Sequence, residues 1–381
     1  MSTTTEPPSE VLIPPLPNDI GLNILARIPR HRHPILSAVS KPVRSILSSP
    51  EFFAARSLLN CSQNIAYLSI VSSFHYHGYW FEVYRIPRPI AHADRNSLLR
   101  FARVSPLPVF LYSVTAVVGH KIYVLGGFTD LSRTSSAVWV LDCRSRTWER
   151  GPSMRAPRSV SSAAVVGGEI YAIGVHGDEL WIEVLDTVTE RWEAVTSPVE
   201  GKYALVKMSR IDEMGGRIRV RVGLKAFWLD PTNRTWEVAG DVDMLDLCYS
   251  GQCVVDGTSF WCDHVGRISY AEIGNRNESR RLLESVTEGN KPKDLYWPSL
   301  VVLEGRLVMV WGQRIDGSAS STAGGVKMRV WCAEVEVVSK NGELSGGVLW
   351  SEKVLLLPEE MEEMSHNNKF FFHCACLSVS L

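Results

Sequence analysis

Three segments of this chain align without a gap at a fixed interval: VWVLDCRSRTWE at 138–149, IEVLDTVTERWE at 182–193 and AFWLDPTNRTWE at 226–237. Their Trp residues stand at 148, 192 and 236 and their Leu-Asp pairs begin at 141, 185 and 229, so every interval is 44 residues. Upstream of each lies a second shared piece: TAVVGHKIYVLGGF at 115–128, AAVVGGEIYAIGV at 163–175 and a blurred GGRIRVRVG at 215–223. Weaker copies follow at 253–264, 300–312 and 347–358. A period of roughly 40–50 residues made of short β-type runs, Gly turns and a Trp is the pattern of a propeller blade. One four-stranded sheet cannot bury both of its faces, whereas blades stacked around an axis cover each other and shorten every exposed edge. Six blades are expected, five beginning near residues 109, 157, 203, 246 and 297. The sixth is expected to be shared between the chain ends, the apolar stretch near 370–380 supplying an inner strand to residues 64–108.

Before residue 60 the pattern is different. Leu16, Ile20, Ile24, Leu25 and Ile28 follow helical spacing, and Pro29 stops the run. Short helices are expected over Pro34–Val39 and Pro42–Leu47, and a fourth over Pro50–Leu59, capped by Ser49 with Pro50 at its first position. The resulting division is a disordered tail at 1–13, a helical head at 14–59 and a β body at 60–381. The head carries a net charge of +4. A domain that small is marginal alone, and it has more apolar positions than it can bury, so a partner surface is the natural supplement. Arg30, His31, Arg32 and His33 form a basic turn, read as a solvated loop or a rim facing an acidic partner.

Formal charge for the whole chain is −1, which leaves no basic field to draw in nucleic acid by counterion release. No run of residues approaches the length of a membrane span, and the N-terminal ten residues lack the charged and apolar regions of a secretory signal. Eight cysteines are too few for a disulfide scaffold in a chain of 381 residues and are read as reduced thiols. Neither Cys262 with His264 nor Cys374 with Cys376 has the spacing of a zinc site. These features place the protein in the cytosol or nucleus.

Residues 14–59, with LPNDIGLNILARIP and LSAVSK followed by RSILSSPEFFAARSLL, resemble an F-box. Residues 64–381, with Gly126-Gly127 followed by Trp148 and its repeats, resemble kelch repeats. In this order the two resemble the plant F-box/kelch-repeat family. The resemblance implies a mainly β fold: a six-bladed kelch-type propeller preceded by a small all-α F-box domain. It implies that Leu16, Pro17, Ile20, Leu25, Ile28, Pro29, Leu36 and Val39 contact a Skp-type adaptor and, through it, a cullin ligase complex. It also implies that propeller loops hold a target protein. Phe128, Arg155, Arg158, His176 and Arg314 are the candidate side chains in those loops.

No GxSxG, HExxH, Walker loop or GxGxxG occurs in the sequence. No catalytic residue, metal or cofactor is therefore assigned, and the expectation is a substrate-recognition subunit of an SCF-type ubiquitin ligase. A non-catalytic kelch scaffold or small-ligand binder with a vestigial head is the alternative. The aromatic run Phe74–Trp80 is read as hairpin packing rather than a ligand site.

Overall fold

The computed structural model describes residues 12–72, 77–86, 98–104, 107–108, 113–129, 133–176, 179–198, 210–214, 216–222, 224–241, 249–263, 265–272, 281–283, 295–315, 327–340, 343–356 and 372–381. The expected tail, the Gly/Ser-rich stretch 317–325 and the acidic 359–363 lie outside these residues, apart from positions 12 and 13. The head holds α1 (Asn18–Ala26), a 3-10 turn (Arg30–Arg32), α2 (His33–Leu36), α3 (Lys41–Ile46) and α4 (Pro50–Leu58). Ser40 and Ser49 each accept a bond from the backbone N–H three residues on, at Val43 and Phe52, and a proline follows within the first turn.

Six sheets follow, with the strand order of a propeller. Blade one comprises Val114–Val118, Lys121–Leu125, Val138–Asp142 and Thr147–Arg150. Blade two comprises Ser159–Val166, Glu169–His176, Glu179–Asp186 and Arg191–Val195, and blade three Arg210–Met214, Arg217–Val222, Lys225–Leu229 and Trp236–Asp241. Blade four is Tyr249–Val255, Thr258–Asp263, Ile268–Glu272 and Arg281–Leu282. Blade five is Leu295–Leu303, Arg306–Ile315, Lys327–Lys340 and Glu343–Leu356. In blade six the C-terminal strand Phe372–Ser380 pairs antiparallel with Asn64–Ser72, followed by His77–Ile86 and Leu98–Arg103.

The repeat is explained by its turns. Asp142 Oδ1 accepts from the N–H of Arg144 and Ser145, Asp186 Oδ1 from Val188 and Thr189, and Asp230 Oδ1 from Thr232. Two residues later Arg146, Glu190 and Arg234 sit at φ 61°, 58° and 57°, the left-handed geometry that closes this turn. The repeated Trp then ties each blade to its predecessor. Trp192 Nε1 donates to Pro152 O and Trp236 Nε1 to Thr196 O, both at 2.8 Å. Trp148 meets Trp80 of blade six edge-on at 5.4 Å. Tyr79 and Trp80 are buried in strand packing, while Phe74–Tyr76 lie outside the described residues.

Buried glutamates on third strands are a second recurrent device. Glu82 of blade six, Glu183 of blade two and Glu334 of blade five are each at most 2% exposed and each paired with arginine. Arg85 of blade six reaches Glu334 at 2.7 Å, so this pair also crosses a seam.

Among the described residues, five apolar clusters fill five of the six seams between blades. The seam between blades three and four differs. Alternation places Ile218, Val220 and Val222 toward blade two, in the same cluster as Tyr171 and Ile173. The other face of that strand presents Arg217, Arg219 and Arg221, with Arg217 and Arg219 over the Trp228 ring. Across the seam blade four offers buried Ser259, Trp261 and Asp263, because its Phe260 and Cys262 pack on blade five. Tyr171 and Ile173 occupy the corresponding positions of blade two. Replacing Arg219 by Tyr and Arg221 by Ile would set apolar groups against buried Ser259 and Asp263 and is therefore expected to destabilise the ring by roughly 1–3 kcal/mol. Calorimetry would show this as a lower melting temperature, and an unchanged or higher one would mean that the arginines do not hold the seam.

Candidate functional site

The propeller has two ends. In every blade the turns after the first and third strands lie at one end, and the turn after the second strand and the connection to the next blade lie at the other. The head sits at the first end. Arg30 donates to the carbonyls of Cys143 and Arg144 in the third-to-fourth strand turn of blade one. Gln63 and Leu381 exchange backbone bonds where the chain enters blade six. Phe128, Arg155, Arg158, His176 and Arg314 all belong to the opposite end.

Of the head residues expected to face an adaptor, Pro17, Pro29, Ile20 and Val39 are exposed, Ile20 at 47% and Val39 at 70%. Leu16, Ile28 and Leu36 are half-buried, the last two against the core. Leu25, at 3%, belongs to the core with Val43, Leu47, Phe52 and Phe53, so it is a packing residue. Helical spacing put Leu25 beside Ile24, and adjacent helix positions point in different directions. Ile24, four residues after Ile20, is the outward one, and Ile35 joins it at 65% exposure. Ile20 and Ile24 on α1, Ile35 on α2 and Val39 after it are thus each exposed apolar side chains of the head.

Only part of the basic turn is solvated: Arg32 is exposed and His31 half-buried, while Arg30 and His33 turn inward. Arg30 and His33 are 1% and 2% exposed. The Arg30 guanidinium pairs with Glu82 at 3.1 Å. Glu82 also accepts from the hydroxyls of Tyr67 and Tyr84 and from Arg146 Nε at 2.8 Å. Burial pushes the Glu82 carboxyl up, but Arg30, Arg146 and the hydrogen bonds outweigh it and hold the carboxyl below the usual range. The same burial raises Cys143 to about 12, which leaves an unreactive thiol. Sequence reasoning missed this cluster. Its one signal was a lone acid in the apolar strand YWFEVYRI.

His33 Nε2–H donates to Ile28 O, 3.1 Å away, and the ring packs edge-on against Phe52. Burial first, and then Arg30 and Arg56, lower its pKa to about 3. The unfolded chain, with an ordinary histidine pKa near 6.5, takes up this proton first. Stability is thus fully present above pH ~6.5 and falls by about 1.4 kcal/mol per unit as pH drops toward the folded value. His33→Gln is expected to flatten the acid limb of a melting-temperature profile between pH 4 and 6.5. A limb of unchanged slope would mean that other groups carry it.

At the opposite mouth the loop after the second strand of blade one and the linker to blade two are knitted together. Ser135 N donates to Gly127 O, Arg158 N to Ser135 O and Met154 N to Ser136 O. Phe128 is half-buried against the blade six and blade one cluster, and the Arg155 side chain is exposed. Arg158 is completely buried and pairs with the equally buried Glu183 at 2.5 Å. It therefore braces the mouth from inside and presents no side chain to a target. His176 and Arg314 lie toward the same end of their strands, and their side chains fall outside the described residues. Among the described residues no group of three or more His, Cys, Asp or Glu side chains gathers as a metal site, and no helix is long and apolar enough to cross a membrane.

Comparison with known proteins agrees with this architecture. The F-box domain matches residues 13–54, and the FKB95 kelch-repeats domain matches residues 80–355. An F-box/kelch-repeat protein of Arabidopsis thaliana is 33% identical over 92% of this chain and 88% of its own length. A second from the same plant is 29% identical over 99% of this chain and 96% of its own. A third is 35% identical over 64% of this chain and 93% of its own. With a helical head at one end of a six-bladed ring and family matches along most of its length, the chain belongs to the plant F-box/kelch-repeat family.

Proposed function

We propose that this protein is a substrate-recognition subunit of an SCF-type ubiquitin ligase, its head docking a Skp-type adaptor and its far mouth holding a target protein. The carrying observation is the set of exposed apolar side chains of the head, where Ile20, Ile24, Ile35 and Val39 are each more than 40% exposed in a segment matching the F-box domain. Exposed apolar side chains in a head that also exposes Arg27, Arg32, Lys41 and Arg44 fit a partner surface with apolar pockets and acidic groups. The transfer chemistry belongs to the partners, and this chain contributes proximity by tethering a target near them. The placement of head and mouth at opposite ends lets both be occupied at once.

Ile20→Asp combined with Ile24→Asp is expected to weaken adaptor binding by at least about a hundredfold while leaving the β-rich circular dichroism unchanged. Binding at wild-type strength would favour the alternative, a kelch scaffold with a vestigial head. Charge reversal at Arg155, an exposed arginine of the mouth, is the matching test for target capture.

A further inference from the structure

The connection between head and propeller is short, closed and built from directional bonds. Only Asn60–Gln63 separate the end of α4 and its cap from the first propeller strand, with Asn60 turning the chain at φ 52°. Arg56, 1% exposed, donates to the carbonyls of Ala26, Ile28 and Cys61 and to Gln63 Oε1, tying α4, α1 and the connection into one unit. One apolar cluster runs without a break from Leu25 and Phe52 in the head through Trp80 and Tyr84 to Leu141, Val379 and Leu381 in the propeller. At its centre Glu82 gathers groups from three parts of the chain: Arg30 of the head, Arg146 of blade one, and Tyr67 and Tyr84 of blade six.

An apolar contact alone is non-directional and tolerates sliding. A buried carboxylate held by two arginines and two hydroxyls does not, because charge-assisted bonds demand geometry and tilting the head would strand Arg30 in a closed interface. We propose that Glu82 is a positioning residue that fixes one angle between the adaptor-facing helices and the propeller. A protein held at the far mouth is thereby offered to the ligase in one orientation. This rests on the ligase reading of the previous section and names its positioning element.

The test uses the full-length chain with spectroscopic labels, introduced as unnatural amino acids, at Ser45 on α3 and at Val188 on the blade two turn, both exposed. The wild-type chain is expected to give one narrow distance distribution, and Glu82→Gln to broaden it at least about twofold, with adaptor affinity unchanged within about twofold. Tyr84→Phe, which removes a single donor, is the milder variant should Glu82→Gln fail to fold, and it is expected to broaden the distribution to a lesser degree. Mass spectrometry of self-ubiquitination in a reconstituted ligase supplies the functional readout. The wild-type propeller should be modified at few lysines and the variants at many, and the same widening at a temperature well below each variant's melting temperature sets it apart from unfolding. A broad wild-type distribution overturns the proposal. So does a narrow distribution that both variants leave intact, or an unchanged lysine pattern in a variant whose distribution has broadened. Absence of adaptor binding by the wild-type chain overturns the ligase reading itself, and is told apart from those results because the distance measurement needs no adaptor.

Discussion

Truncation after Lys369 is expected to abolish a soluble monomer rather than trim it. The strand Phe372–Ser380 pairs along its whole length with Asn64–Ser72 and completes the inner edge of blade six. Val379 and Leu381 are 1% and 5% exposed within the cluster that joins head, blade six and blade one. Leu381 N–H donates to Gln63 O, and Gln63 N–H donates to Leu381 O. Burying one large apolar side chain contributes about 1.5–3 kcal/mol, against a total stability of roughly 5–15 kcal/mol for a typical domain. Losing several such side chains together with a strand leaves a long unpaired edge, which recruits other chains. Size-exclusion chromatography and calorimetry of the truncated protein decide the matter. A monomer melting within a few degrees of the full chain would show that the ring holds without its closing strand.

Arg158→Ala is expected to cost roughly 3–5 kcal/mol, because it leaves Glu183 a buried carboxylate without its counter-charge, held only by the Arg155 N–H. Arg158 Nε and Nη1 and Glu183 Oε1 have no hydrogen-bond partner among the described residues, so even the intact pair is only partly compensated. The double variant Arg158→Met with Glu183→Leu is therefore expected to recover most of the lost stability. A double-mutant cycle in denaturant measures the coupling. If the single variant melted like the wild type, the buried pair would have no energetic role, and its position at the mouth would again need a ligand to explain it. The cycle also separates stability from recognition: weaker target capture by Arg158→Ala reports a disturbed mouth, whereas Arg155 reports contact.

The fold was legible because its signals are local and repeated. Leu-Asp followed by Trp at a 44-residue interval encodes one turn, one cap and one cross-seam indole bond, each completed within a blade or its neighbour. The helices of the head were legible within a residue or two where Ser40, Ser49 and Pro50 set their starts, although α2 is shorter than Pro34–Val39 and the basic turn is a 3-10 helix at Arg30–Arg32 with Arg30 buried. The candidate sites were less legible. Leu25 and Ile24 adjoin in sequence and face opposite ways. Arg155 and Arg158 share one loop, yet one is exposed and the other buried.

By itself the sequence determined the class of fold, the number of blades and the division into head and ring, because periodicity and turn chemistry depend on neighbours close in the chain. Only the tertiary structure decided which charges face water. Arg30, Arg158 and Glu82 read as ordinary polar residues until partners 52, 25 and 64 positions away close over them. The cost of burying a charge is set by what surrounds it in space, and no local pattern carries that information.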